Sequence, residues 1–99
     1  MSKRVAEIII HNWNNPPKIE VRGFPEQTIH VGEAVSVLLP AIYIKNRKMP
    51  TLIIDLEVRR QQDVGQLRDI YYLVASQLEE YKDFWLRRKT EAEAGIFLQ

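Results

Sequence analysis

A chain of 99 residues, 45% apolar and 27% charged with both signs mixed, is long enough for one domain and too balanced to stay disordered. Its net charge of +1 argues against a dedicated nucleic-acid or membrane-surface binder and leaves room only for a local basic patch. Zero cysteines exclude disulfides, thiolate metal sites and a cysteine nucleophile, which suits a cytoplasmic setting better than a secreted one. No apolar run approaches the ~20 residues that span a bilayer.

Val5 to Asn12 is predicted to be a strand, because three consecutive isoleucines (Ile8, Ile9, Ile10) suit a buried pleated surface. Asn14-Asn15-Pro16-Pro17 should end it, since neither proline donates to a ladder. Lys18 to Arg22 alternates, with Ile19 and Val21 on one face. Gly23-Phe24-Pro25-Glu26 turns the chain. Thr28 to Leu39 reads as strand divided at Gly32 by a bulge or tight turn, and Pro40 breaks the ladder again. Ala41 to Lys45 alternates, with Ile42 and Ile44 opposite Tyr43, and Asn46 to Pro50 reads as a hairpin loop. Thr51 to Arg59 is the clearest strand. Leu52, Ile54, Leu56 and Val58 share one face; Asp55, Glu57 and Arg59 share the other.

The pattern then becomes helical. Asp63 is the expected N-cap, with Gln66 as its capping-box partner. Leu67, Tyr71, Val74, Leu78, Tyr81 and Trp85 follow at helical spacing, widened by Ile70, Leu73 and Phe84. Gly95 is the expected terminator. The expected fold is therefore α+β in one domain, 1–99. A mostly antiparallel sheet of four to six strands (5–59) precedes one long amphipathic helix (63–89) and a tail (90–99). Ile19, Val21, Leu52, Ile54, Leu56, Val74 and Leu78 are the expected core.

Little of this carries catalytic chemistry. Asp55-x-Glu57-x-Arg59 resembles the metal-binding strand of the PD-(D/E)XK nuclease superfamily, a resemblance that would imply a divalent cation on the two carboxylates. Arg59 departs from it, standing where lysine is usual, and no Pro-Asp pair precedes the strand. A solvated strand face explains the same three residues. His11 and His30 have no metal-ligand spacing, and no serine or glycine stands in a nucleophile or phosphate-binding motif. No catalytic residue, cofactor, metal or small-molecule substrate is assigned, and no enzyme is expected.

Binding surfaces remain. From 63 to 89 a straight helix would run ~40 Å, whereas a domain of this size is roughly 30–35 Å across. Its aromatic stripe should then extend past its own sheet. Tyr71, Tyr81, Phe84 and Trp85, with Ile96 and Phe97 of the tail, are the expected protein interface. The leading functional expectation is a non-enzymatic protein-interaction or assembly module that forms a homodimer. An adaptor, inhibitor or structural subunit encoded by a phage or mobile element fits that description. The second is a small nucleic-acid-binding domain that uses Lys45, Arg47, Lys48, Arg59 and Arg60. A third basic cluster is Arg87/Arg88/Lys89. Trp13 is expected to plug the end of the sheet, with stacking on a base as its alternative.

Overall fold

The computed structural model describes residues 2–95. In chain order its strands are β1 (Lys3–Ile10), β2 (Ile19–Arg22), β3 (Thr28–Ile29), β4 (Glu33–Leu38), β5 (Tyr43–Ile44), β6 (Arg47–Lys48), β7 (Ile53–Glu57) and β8 (Gly65–Gln66). A 3₁₀ turn at Gln61–Asp63 precedes β8, and helices α1 (Leu67–Ser76) and α2 (Leu78–Glu93) follow it.

The mixed α+β class holds, with sheets that are mostly antiparallel. The main sheet has four strands in the order β2-β1-β4-β7. Its central pair, β1 and β4, is parallel; both outer pairs are antiparallel. β3 pairs with β8, and β5 with β6, as separate two-stranded ribbons.

Burial follows from strand position. β1 and β4 lie in the middle, so Ala6, Ile8, Ile10, Val35 and Val37 form the core with Ile29, Leu39, Val58, Leu67 and Val74. Of the expected core residues only Val74 is fully buried. Ile19, Val21, Leu52, Ile54, Leu56 and Leu78 pack against the core but keep partial exposure. The face assignment on β7 is right. Its shortfall in burial has a simple cause: β2 and β7 are the sheet's edges, where one flank stays open.

The helices cover one face of the sheet. On the opposite face the register aligns Ile9 with Leu38 and Leu38 with Ile53. The third isoleucine of the β1 run thus belongs to a short apolar row on the uncovered side, and Ile53 is 44% exposed there. A bulge at Val5 interrupts β1 between Arg4 and Ala6. The Gln27 side chain donates to the Val5 carbonyl at 3.3 Å and satisfies a group the bulge would leave open.

The single long helix is corrected to two. Ser76 Oγ donates to the Leu73 carbonyl at 2.7 Å. That oxygen would otherwise accept from Gln77 N–H, which bonds Val74 O at 3.1 Å instead. The α-ladder breaks at Gln77, beside this back-bonded serine. The helix start is also corrected. Asp63 sits in the 3₁₀ turn, ion-paired to Arg60 at 2.9 Å, and Gln66 makes no side-chain cap. The first amides of α1 are satisfied by the loop instead: Leu67 N–H donates to Gln27 O and Arg68 N–H to Pro25 O. At the far end, Gly95 adopts a φ of +82° and closes α2 as expected.

The hairpin tip also moves. Lys45 and Asn46, with φ of 51° and 64°, form the turn between β5 and β6, so Arg47 and Lys48 are strand rather than loop. Two positive φ values give a twist that suits a two-residue hairpin.

Candidate interaction surfaces

The uncovered sheet face carries a cross-strand polar network. Ser36, 1% exposed, donates from Oγ to Asp55 Oδ1 at 2.8 Å, and Arg4 contacts Asp55 Oδ2 at 3.3 Å. Arg59 pairs with Glu57 at 3.0 Å. At the β2 end, Glu20 accepts from His11 at 2.8 Å and from Arg22 at 3.0 Å, and these contacts hold its carboxyl below the usual value. Each of these carboxylates has a cation or hydroxyl neighbour, although the arginines involved are themselves largely exposed.

The nuclease-like resemblance gains nothing from this geometry. Asp55 and Glu57 do lie on one face of a strand, as the alternation required. Asp55 is engaged by an arginine and a serine, and among the described residues no three His, Asp or Glu side chains gather where a metal ion could be held.

The expected helical interface is placed largely against the domain itself. Tyr81 is 8% exposed and joins the core, while Tyr71, Phe84 and Trp85 pack on it. Burial, with Glu80 second, raises the Tyr81 phenol above its ordinary range. Trp85 Nε1 donates to Pro40 O at 2.6 Å, and its ring meets Trp13 edge-on at 5.9 Å. Trp13 therefore plugs the sheet end rather than standing free to stack. Ile96 and Phe97 lie outside the described residues.

The basic residues divide into two sites. Lys45, Lys89 and Glu93 line one shallow hollow with Tyr43, which is 61% exposed, and Lys48 is the cross-strand partner of Tyr43. Arg47 sits beside them on the ribbon. Arg59 and Arg60 follow the opposite end of β7 and are ion-paired to Glu57 and Asp63. The five candidate cations thus do not form one face.

A further surface was not visible in the sequence. A groove of about 470 Å³ separates the β7 edge from α1, with Leu56, Val58, Ile70 and Leu73 in its walls and Asp55, Glu57, Arg59 and Asp63 along its rim. Leu73 is 47% exposed there. Alternation in 51–59 shows which side chains share a face. It does not show that β7 ends the sheet, which depends on strand order.

No protein-family model matches this chain, and neither the curated proteins nor the solved structures searched give a match. Among the described residues no helix is long and apolar enough to cross a membrane.

Proposed function

We propose that this chain is a non-enzymatic protein-interaction module that binds its partner through the open side of its sheet. The observation that supports the reading most is β7, whose outer edge has no strand partner among the described residues and borders a groove with apolar walls. Natural sheets protect such an edge by shortening it, covering it or charging it, and β7 has the charges of Asp55 and Glu57 but no covering element among the described residues. A second support is exposed apolar surface on both sides of that edge, Ile53 on the open face and Leu73 on the helix side. The homodimer expectation keeps only part of its motive, because Tyr71, Tyr81, Phe84 and Trp85 pack on the domain's own core, while Ile96 and Phe97 lie outside the described residues.

Selection of the intact chain against a random linear-peptide library tests the module reading. A family of related binders is the expected yield. A library that returns nothing enriched over bare matrix removes the reading.

A second reading, a nucleic-acid-binding domain, has one specific observation in its favour: Lys45 and Lys89 line a hollow with the exposed Tyr43, whose cross-strand partner is Lys48, although Glu93 lines it too. Cations interleaved with an aromatic ring suit a single strand. Anisotropy with a labelled single-stranded oligonucleotide at several salt concentrations separates the two. Affinity that falls with salt and is lost on Lys45→Glu supports this reading; no binding at low salt dismisses it.

A further inference from the structure

We propose that the free edge of β7 is a strand-addition site, taking an extended segment of a partner protein in which apolar residues alternate with basic ones. The inference rests on the module reading above and names its partner chemistry.

Backbone direction comes first. Leu39 N–H bonds Leu52 O, and Val58 N–H bonds Glu33 O. These pairs continue the antiparallel register of β4 and β7. Even-numbered residues of β7 therefore turn their peptide groups towards β4, and Ile53, Asp55 and Glu57 turn theirs to the open edge. Three residues in a row of alternating spacing offer both donor and acceptor to an incoming strand. The other edge is a poorer template: β2 spans only Ile19–Arg22 and follows the Pro16-Pro17 pair.

The groove supplies the second half of the site. Side chains of an added strand alternate between the two sheet faces. Those on the helix side would enter the groove beside Leu56, Ile70 and Leu73. Those on the open side would lie next to Asp55 and Glu57, whose side chains keep 34% and 31% exposure. Their present partners, Arg4 and Arg59, are exposed themselves, so these ion pairs are weak and open to sharing with a partner's cations.

A second copy is a poor occupant in the registers that pair two or more of the outward residues Ile53, Asp55 and Glu57, which are those with a twofold axis at Ile54, Asp55 or Leu56. A twofold axis at Asp55 would set Asp55 against Asp55, and one at Leu56 would set Asp55 against Glu57. Like charges directly opposite destabilise a strand pair. An axis at Ile54 would set Ile53 against a carboxylate.

Amide chemical shifts of the intact ¹⁵N-labelled chain test the site, using two seven-residue peptides: one alternating lysine with valine, and one with glutamate in place of lysine. Shifts centred on Ile53, Asp55, Glu57, Ile70 and Leu73 are expected with the lysine peptide, and at least tenfold weaker binding with the glutamate peptide. Glu57→Pro removes one outward N–H at a position where an edge strand tolerates proline, and Leu73→Lys places a cation in the groove. Each should weaken binding at least tenfold while amides elsewhere keep their positions. Two outcomes overturn the site: no shift up to millimolar peptide, or binding that neither substitution weakens. Library-selected binders that shift amides only on other surfaces also overturn it and leave the module reading standing. A library that yields no binder removes both.

Discussion

The indole Nε1 of Trp85 donates a 2.6 Å hydrogen bond to the carbonyl oxygen of Pro40. This one contact ties α2 to the segment that leaves β4, and it places the Trp85 ring edge-on against Trp13. Proline ends the ladder because it has no N–H, yet its carbonyl still needs a donor. The helix supplies that donor from 45 residues away.

Trp85→Phe should keep most of the apolar contact and lose the donor. The expected cost is about 1–3 kcal/mol in chemical denaturation, the range for leaving a part-buried acceptor unpaired. An unchanged denaturation midpoint would show that water replaces the indole fully.

Asp55 tests the open sheet face. Its alternation with Glu57 and Arg59 reads as a solvated row, which predicts that Asp55→Ala with Glu57→Ala leaves stability nearly intact. The structure predicts otherwise, because Ser36 Oγ is buried and spends its hydrogen on Asp55. Asp55→Ala should destabilise by about 1–3 kcal/mol, and adding Ser36→Ala should recover part of the loss. Equal additive losses in the double-mutant cycle would show that the two side chains do not interact.

Strand position sets the cost of core truncation. Ile8 is 0% exposed in a central strand, so Ile8→Ala should cost ~2–5 kcal/mol. Leu56 lies on the edge strand and is only half-buried, so Leu56→Ala should cost distinctly less. Thermal melts of the two variants give the comparison directly, and an inverted order would contradict the strand order.

Acid titration should find Glu20 ionised to unusually low pH. His11 and then Arg22 lower its carboxyl pKa below the ordinary 4.5. A depressed folded-state pKa stabilises above the unfolded value, and that contribution disappears as pH falls through the folded value. Carboxyl carbon shifts of Glu20 should titrate below 4.5 in the intact protein. In His11→Ala the midpoint should move back up. The same midpoint in both proteins would exclude the His11 contact in solution.

What the sequence showed and what it hid divide along a physical line. Alternation placed Leu52, Ile54, Leu56 and Val58 on the covered face and Asp55, Glu57 and Arg59 on the open one, because side-chain direction is a local property of a strand. Helical spacing correctly marked Leu67, Val74 and Tyr81 as inward-facing. Strand order is not local. Nothing in residues 3–10 states that their parallel neighbour is 33–38, so the edge status of β7 and its groove stayed out of reach. The break at Gln77 was also hidden. It sits beside the carbonyl bond of the Ser76 hydroxyl, and the apolar stripe runs through that point without interruption. Packing likewise lay outside the sequence's reach: Tyr71, Tyr81, Phe84 and Trp85 turn to the domain's own core, whereas Tyr72, Leu73 and Leu86 stay exposed on the same helices.

The parallel pairing of β1 with β4 also orders events in time. The three isoleucines of β1 gain their main partner only when 33–38 becomes available, and β2 covers one flank alone. Until then a growing or truncated chain presents a β-branched, uncharged run with an unmatched edge, the kind of segment from which aggregation starts. A free fragment ending before residue 33 should therefore aggregate, whereas one that extends past residue 76 can close both flanks of β1 and cover it with α1.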